Sequence, residues 1–478
     1  MIFNSTEFLV FLPIVWIAYW LVLKNRLTAQ NILLLVASYF FYGWWSWKFM
    51  LLLALNTLLD YLYGFGVAHP DKRRARIFLW LSVVNNLGIL AVFKYFDFFS
   101  TEFARLLNGF GLRADPFILD LALPVGISFY TFHGMSYVFD IYRSKLSPIR
   151  NIVDYSVFVA FFPLLVAGPI ERASHLLPQI RMKREFRTEK ILSGGRLIIW
   201  GMFKKVVIAD NLAMFADYSF YNYQDLSWGY LAIGALAFSI QIYGDFSGYS
   251  DIALGTARLF GFELLSNFRF PYFSRDIAEF WRRWHISLSS WFRDYLYIPL
   301  GGSREGRVIA IRNTFIIFLV SGFWHGAGWN YIAWGGLHAL FFLPLLLSKR
   351  NRAHTGPVVA HDSSIPRAPD LARMLATFLL VTFAWVFFRA RYLSDALGYL
   401  RRLGTSLLHE PIPNVPAQFV ALPLALTFIL LGADWWLRRD ERNLRPLPRA
   451  LAVVVPALMI AMIGLFFGKP STFIYFQF

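Results

Sequence analysis

The sequence predicts an all-α membrane protein that crosses the bilayer many times. Of its 478 residues, 57% are hydrophobic and only 16% are charged, whereas soluble domains carry about a quarter charged residues. Apolar blocks of roughly 17–25 residues, the length that crosses a bilayer as a helix, recur from end to end. We therefore expect one membrane domain over residues 1–478, with about eleven transmembrane helices and several re-entrant or interfacial ones.

Charge and cysteine content exclude several classes of function. The formal net charge of +17 comes from short basic clusters between apolar blocks, such as Lys72–Arg76, Arg181–Arg187 and Lys349–Arg352. Nucleic-acid binding would need these charges on one soluble face. We therefore predict that the basic clusters lie in cytoplasmic loops and contact anionic lipid, and we expect no nucleic-acid partner. The chain has no cysteine, which excludes disulfides and an acyl-cysteine intermediate.

The first apolar blocks alternate with basic loops as expected of simple crossings. Residues 1–7 lack the basic leader of a signal peptide, so the first block is expected to be a retained span. Lys24 and Arg26 then favour a cytoplasmic first loop. Ser100–Asp120 is weakly charged, as expected of an outer loop. The predicted segments are Phe8–Leu23, Asn31–Trp47, Phe49–Val67, Ile77–Phe99 and Leu121–Tyr142.

The next block breaks this alternation. Val153–Gly168 is apolar, but basic residues of cytoplasmic type follow it as well as precede it, so we expect a re-entrant or broken segment shielded by protein. The stretch Arg350–Pro369 is polar and contains proline, which predicts a loop. The other candidate segments are Ile191–Leu212, Leu226–Tyr243, Ser247–Phe262, Val308–Trp324, Tyr331–Leu347, Leu371–Phe388, Val420–Leu437 and Leu451–Phe467.

Asp276–Leu300 is too charged for an unassisted span and too aromatic for a loop. We expect an interfacial or re-entrant helix whose Trp and Tyr side chains lie at headgroup level. On such a helix Glu279 and Arg283, four residues apart, can pair, and His285 and Ser289 share a face.

His325 is the leading candidate for a catalytic base. It lies in a glycine-rich sequence, Ser-Gly-Phe-Trp-His-Gly-Ala-Gly-Trp, at the end of an apolar block. Neutral imidazole accepts protons near physiological pH, and ionisable groups inside membranes usually have functions. The alternative is a packing histidine bonded to a backbone carbonyl. His285 is a second candidate. His338 would lie on a different face from His325 unless the helix breaks near Gly326–Gly328, which favours packing.

Other polar residues are assigned supporting roles. Three of them, Asp245, Tyr249 and Asp251, lie in an apolar region. A metal site is not favoured there, because no zinc-binding spacing occurs. We favour hydrogen-bonded scaffolding for the histidine pocket, and helix capping is the alternative. The same supporting role is assigned to Trp324, Ser289, Asp294 and His338. Five basic residues could meet the phosphates of an acyl-CoA from the cytosol, although cytoplasmic topology explains each of them individually: Lys204, Lys205, Arg282, Arg283 and Arg304.

Four segments resemble the membrane-bound O-acyltransferase family. They are YGDFSGYSDIALG (243–255), EFWRRWHISLSSWFRDYLYIPLGG (279–302), GFWHGAGWNYIAWGGLH (322–338) and FIYFQF (473–478). Within the family they are most similar to the bacterial alginate O-acetyltransferase branch. Serine-hydrolase and P-loop signatures are both absent.

The resemblance implies a fold, a site and partners. The implied fold is a ring of membrane helices around a thinned centre, with funnels from both faces meeting at the catalytic histidine. His325 matches that histidine and His285 the second histidine of the motif class. The implied donor is cytosolic acetyl-CoA, with no bound cofactor or metal. Periplasmic partner proteins would place the acetyl group on alginate, and the implied location is the bacterial inner membrane.

Two alternatives to alginate acetylation stay open at this stage. Within the family, the acceptor could be peptidoglycan or another exported polysaccharide. Outside it, broken helices with intramembrane Asp and His also suit a non-catalytic transporter, although no paired interrupted segments indicate an inverted repeat. The chemistry is open too: His325 could act as a general base or form an acetyl-histidine intermediate.

Overall fold

The computed structural model describes residues 1–166, 168–411, 415–440, 448, 451–468 and 474. Within these residues all regular structure is helical and no strand occurs. Six helices are long and apolar enough to cross a membrane, and further apolar helices are shorter. The prediction of an all-α, multi-pass membrane protein is therefore confirmed. The six are Trp47–Val67, Lys72–Gly109, Arg307–His325, Trp329–Leu347, Ala368–Arg389 and Ala417–Leu437.

The chain divides into two compact units, and the first comprises residues 1–192 and 256–265. The prediction of a single membrane domain is not tested by this division. Two π-helical turns, Ala18–Val22 and Ala91–Tyr95, extend helices of this unit. Its helices are α1 (Thr6–Ile17), α2 (Leu27–Gly43), α3 (Trp47–Val67), α4 (Lys72–Leu90), α5 (Phe96–Gly109), α6 (Ile127–Tyr142), α7 (Ile152–Ala160), α8 (Phe162–Leu165), α9 (Ala173–Arg181) and the start of α10 (Thr188–Met202).

The second unit comprises residues 193–255 and 266–478. It contains both histidine-bearing segments singled out from the sequence. Its π-helical turns are Phe203–Ala209 and Arg293–Tyr297, and a short 3-10 turn covers Pro271–Phe273. Its helices after α10 are α11 (Asp210–Tyr221), α12 (Trp228–Leu259), α13 (Ile277–Arg283), α14 (Ile286–Phe292), α15 (Arg307–His325), α16 (Trp329–Leu347), α17 (Ala368–Arg389), α18 (Leu393–His409), α19 (Ala417–Leu437) and α20 (Leu451–Phe466).

The prediction of two separate segments, Leu226–Tyr243 and Ser247–Phe262, is wrong. The structure has one helix, α12, of 32 residues. Asp245, which lies between the two predicted segments, forms an ion pair with Lys205 (Nζ to Oδ1, 2.8 Å). A buried charge that is paired does not need a helix end to reach water.

Three other predicted boundaries also shift. The segment Ile77–Phe99 belongs to a longer helical run, Lys72–Gly109, so the outer loop predicted for Ser100–Asp120 starts only after residue 109. The segment Leu121–Tyr142 becomes helical only at Ile127, because Gly126 has a left-handed φ of 71°. The segment Ile191–Leu212 lies within a continuous helical run from 188 to 221.

The predicted break in Val153–Gly168 is confirmed. This segment is split between α7 and α8, with non-helical Phe161 (ψ 112°) between them; residue 167 lies outside the described residues. Asp276–Leu300, expected to be an interfacial or re-entrant helix, instead forms two short helices, α13 and α14, with His285 between them. The predicted loop after residue 350 is also present, because α16 ends at Leu347 and α17 begins at Ala368.

Glycines set the distance between neighbouring helices in the second unit. A Cβ at Gly201 in α10 would lie 2.5 Å from the carbonyl oxygen of Gly248 in α12, and one at Gly255 would lie 2.5 Å from that of Gly194. In the α15–α16 pair, Gly322 and Gly335 make similarly close approaches to the facing backbone. Small residues at such crossings let membrane helices pack by backbone contact.

Replacing Gly201 by alanine should therefore destabilise the protein. We expect a loss of roughly 1–3 kcal/mol, because the added methyl group overpacks the crossing with α12. The matched control is Gly195→Ala on the same helix, where nothing lies within 4 Å of the new Cβ. Thermal unfolding in detergent should give a lower midpoint for Gly201→Ala and an equal or higher one for Gly195→Ala, and equal midpoints would contradict this account of the packing.

Candidate active site

His325 ends α15 with its side chain held by the backbone of its own helix. Its Nδ1 lies 2.6 Å from the carbonyl oxygen of Ser321. A carbonyl can only accept a hydrogen bond, so Nδ1 carries the hydrogen and Nε2 is the unprotonated nitrogen of the neutral ring. The sequence raised the alternative of a histidine bonded to a backbone carbonyl. In the structure Nδ1 makes such a bond, and Nε2 is still suited to act as a base.

Aromatic rings surround the His325 imidazole, which is only 3% exposed. Its ring centre lies 4.9 Å from Trp324, 5.0 Å from Trp334 and 5.6 Å from Phe388. His285 is 6.4 Å away. The structure therefore brings together the two histidines singled out from the sequence, and the Trp324 ring lies next to both of them in buried, aromatic surroundings.

His285 lies at the break between α13 and α14. Its backbone is left-handed, with φ 42° and ψ 53°, a conformation that costs a non-glycine residue of order 1–2 kcal/mol. The expected sharing of a helix face with Ser289 does not apply, because His285 precedes the helix. The Ser289 hydroxyl instead donates to the carbonyl of Trp284 at 3.4 Å. Strain of this kind is common at functional sites.

His338 lies near His325 because the chain breaks between them. Helix α15 ends at His325 and α16 begins at Trp329. The helix thus breaks at Gly326–Gly328, the place where a break was needed to bring the two histidines together. The rings of both histidines lie 5.0 Å from Trp334. The indole N–H of Trp281 donates to Nδ1 of His338 at 3.2 Å.

A cavity of about 330 Å³ adjoins this cluster. Ser321, whose carbonyl holds His325, lies in its wall, as do Trp281 and Ser289. Most of the lining is apolar, and arginines line it as well. Among them are Arg282, Arg293 and Arg352. The cavity has the form of a largely apolar pocket with cationic groups on its wall.

The arginines of this region differ in how far their guanidinium groups are already bonded within the protein. Arg282 donates to the carbonyls of Asn351 (2.9 Å) and His354 (3.0 Å). Arg293 pairs with Asp294 at 2.8 Å. Arg352 is exposed. Arg304, predicted to meet phosphate, is also exposed but does not line this cavity.

A second cavity, of about 680 Å³, lies near the other end of the α15–α16 pair. The first cavity is lined by residues at the C-terminal end of α16, whereas this one is lined by Tyr331 at its N-terminal end. Tyr331 packs against Phe388 at 5.3 Å, and Phe388 packs against His325. The cavity is polar and rich in tyrosine, and Arg389, one of the arginines in its lining, forms a short ion pair with Asp217.

The predicted phosphate-binding lysines are neutralised inside the protein. Lys204 pairs with Asp251 (2.7 Å) and donates to Ser247 (2.9 Å). Lys205 is fully buried and pairs with both Asp210 and Asp245 at 2.8 Å. This arrangement favours a structural role for both lysines over contact with a donor phosphate.

The supporting role assigned to Asp245, Tyr249 and Asp251 takes a different form in the structure. Lys205 lies 5.6 Å from the centre of the Tyr249 ring, and Asp245 also accepts the backbone N–H of Ile474 at 2.8 Å. The three residues therefore hold the two lysines and the C-terminal segment. Apart from Ile474, the FIYFQF motif lies outside the described residues.

The predicted Glu279–Arg283 pair is confirmed, with Nη2 and Oε1 2.8 Å apart. Burial raises the pKa of Glu279, but hydrogen bonds from Arg275 and the charge of Arg283 outweigh it, so the pKa lies below its usual range. Arg283 is thus neutralised like the lysines. Among the described residues, no group of three or more His, Asp or Glu is placed to hold a metal ion.

Sequence reasoning missed Trp334, Phe388 and Ser321. Trp334 could have been found, because it precedes His338 by four residues on one helix and so shares its face. Phe388 lies on a separate helix about 60 residues away, and the Ser321 contact is made by the backbone. Neither of these leaves a signal in side-chain spacing.

Lys205→Met tests the structural role of the buried lysine. It leaves Asp210 and Asp245 without their cation, which should cost roughly 3–5 kcal/mol of stability. The exposed Arg304→Gln serves as a control and should leave the unfolding midpoint in detergent unchanged. A Lys205→Met protein that melts like wild type and instead shows a raised KM for an acyl-CoA donor would restore the phosphate-binding role.

Comparison with known proteins agrees with the architecture. The family model for the membrane-bound O-acyltransferase family matches residues 120–384. The chain is 41% identical to a probable alginate O-acetylase of Pseudomonas putida, over 96% of this chain and 92% of that protein. It is 36% identical to a peptidoglycan O-acetyltransferase of Helicobacter pylori, over 86% and 81%. A teichoic acid D-alanyltransferase of Streptococcus thermophilus is 31% identical over 45% of this chain and 55% of its own. This chain belongs to the membrane-bound O-acyltransferase family.

Proposed function

We propose that this chain is the inner-membrane subunit that takes an acetyl group from cytosolic acetyl-CoA and transfers it across the membrane for O-acetylation of an exported polysaccharide, namely alginate. The names of relatives at 41–42% identity support alginate. The observation that carries the catalytic part is the His325 tautomer, because it points an unprotonated Nε2 away from the helix carbonyl. Periplasmic partner proteins would receive the acetyl group and complete its transfer to the glycan.

The donor would bind in the first cavity. Its apolar wall suits the thioester end of the donor, and Ser321 links that wall to His325. Arg352 is exposed, and among the described residues no carboxylate is recorded within ion-pair distance of it. It therefore offers a cation for the donor phosphates, whereas Lys204 and Lys205 do not.

His325 would act as the general base. Nε2 takes the proton of the acceptor hydroxyl as the hydroxyl oxygen attacks the thioester carbonyl, and the imidazolium then returns the proton to the departing sulfur. General-base catalysis contributes roughly 10²–10⁴-fold, so positioning and charge stabilisation must supply the rest. A two-step route through acetyl-His325 would use the same nitrogen. Accumulation of labelled protein in the absence of acceptor would distinguish this route from direct transfer.

The acceptor would enter from the second cavity. Tyr331 in its lining reaches His325 through Phe388, and the cavity lies at the end of α16 opposite the first cavity. The two substrates would thus approach His325 from opposite sides of the membrane, with acetyl as the only group that crosses.

Peptidoglycan is the second candidate acceptor, because a relative of that name is 36% identical over most of the chain. A deletion strain tests the choice: alginate acetylation should be lost while peptidoglycan acetylation stays, and the reverse result would reassign the acceptor. In proteoliposomes, labelled acetyl should pass from acetyl-CoA to acceptor. Ion or sugar flux without label transfer would indicate a transporter instead.

His325→Ala should abolish acetyl transfer at normal protein levels. We expect a loss of at least 10²-fold, since the variant removes the base. His409→Ala, at an exposed histidine at the end of α18, controls for histidine loss in general and should transfer acetyl normally. Full activity of His325→Ala would refute the assignment.

Arg352→Gln should raise the KM for acetyl-CoA roughly tenfold, because a charge-assisted contact with phosphate is lost. Its kcat should change little, since the guanidinium is remote from the carbonyl. Arg401→Gln, at another exposed arginine of the same unit, is the control. An unchanged donor KM in Arg352→Gln would place the donor phosphates elsewhere.

A further inference from the structure

Two buried hydrogen-bond donors, one on Trp334 beside His325 and one on the neighbouring His338, have no acceptor in the part of the chain that the structure describes. The indole N–H of Trp334 has no hydrogen-bond partner among the described residues, although the side chain is only 1% exposed. The same holds for Nε2 of His338, which is fully buried. A buried polar group without a partner typically costs 1–3 kcal/mol, so the presence of two at one place requires an explanation.

The protonation of His338 follows from its neighbour. An indole N–H can only donate, and that of Trp281 donates to Nδ1 of His338. Nδ1 is therefore the acceptor nitrogen, and in the neutral ring Nε2 carries the hydrogen. Both unpartnered groups, on Trp334 and on His338, are consequently N–H donors, and neither carries a formal charge.

Both donors lie close to the place where the substrates would react. The Trp334 ring centre lies 5.0 Å from His325 and 5.0 Å from His338. It also lies 5.7 Å from Trp281, which lines the first cavity. Trp334 thus packs against the base, and both Trp334 and His338 pack against Trp281 of the cavity wall.

We propose that the Trp334 indole N–H, together with Nε2–H of His338, forms the oxyanion hole of the transferase. This inference rests on the proposed function and adds catalytic residues to it. As the acceptor oxygen bonds to the thioester carbon and its proton moves to His325, the carbonyl electron pair shifts onto the carbonyl oxygen. The two N–H groups donate to that oxygen. When the C–S bond breaks, the carbonyl re-forms, the proton passes from the imidazolium to sulfur, and a free thiol and an ester result.

Donors at this position would stabilise the transition state more than the bound substrate. Charge develops on the carbonyl oxygen only in the transition state, and preorganised donors in a water-poor site stabilise it far more than they would in water. Donors already bonded within the protein would have to break those bonds first. The cost of two unpartnered N–H groups in the resting protein is therefore offset at the moment of reaction.

Trp334→Phe is the decisive variant, because it removes the N–H and keeps an aromatic ring between the two histidines. We expect kcat to fall roughly 100-fold, with the KM for acetyl-CoA and the unfolding midpoint nearly unchanged. Trp385→Phe is the matched control: this buried ring stacks on Trp334 at 5.5 Å, and its replacement removes the same ring volume and another indole N–H. Its kcat should stay within about threefold of wild type.

His338→Asn tests the second donor. The asparagine Oδ1 can replace Nδ1 as the acceptor from Trp281, but nothing replaces the N–H at the Nε2 position. We expect kcat to fall at least roughly tenfold with the donor KM nearly unchanged.

The outcomes separate this inference from the proposed function. Wild-type transfer that depends on His325, with kcat preserved in Trp334→Phe, would overturn the oxyanion hole alone. Equal losses of kcat in Trp334→Phe and Trp385→Phe would also overturn it, because they would indicate general packing. Absence of acetyl transfer by the wild-type protein would instead overturn the proposed function.

Discussion

The hydrogen bond from His325 Nδ1 to the Ser321 carbonyl is the constraint on which the site depends. It connects residues one turn apart, so the end of α15 alone fixes the tautomer and orientation of the ring. The extended backbone of Gly326, with φ −163° and ψ 149°, ends the helix immediately afterwards. A longer helix would carry α16 away, and the ring of Trp334 would no longer reach His325.

The rest of the second unit holds this helix end in place. Glycine contacts bring α15 close to α16, and stacked rings from α13, α16 and α17 surround the histidines. Buried cations in this region are paired: Lys204 and Lys205 with aspartates, and Arg283 with Glu279. Pairing is required where water is scarce, because an isolated buried charge is far more costly than a paired one. Neutral groups such as the His325 imidazole and the Trp334 N–H are therefore suited to the buried part of the site.

The sequence was sufficient for the class of fold, and it singled out His325 and His285, whose ring centres lie 6.4 Å apart in the structure. Apolar block length predicts membrane helices well, since every backbone group must be satisfied within the bilayer. Block length was wrong at α12, where two segments were expected on either side of Asp245. The helix is continuous there, and a lysine on another helix supplies the counter-charge to this carboxylate. Sequence reasoning also failed at Ser289, because the left-handed backbone of His285 cannot be read from residue types. Partners distant in the chain, such as Phe388, need coordinates.

The most direct test is a cryo-EM structure with a ketone analogue of acetyl-CoA, in which a methylene group replaces the thioester sulfur so that acetyl transfer cannot occur. The account predicts the analogue in the first cavity, with its carbonyl carbon within about 5 Å of His325 Nε2 and Nδ1 still bonded to Ser321. Two results would contradict the account: an analogue bound elsewhere, or a His325 ring turned so that Nδ1 faces the carbonyl of the analogue instead of that of Ser321.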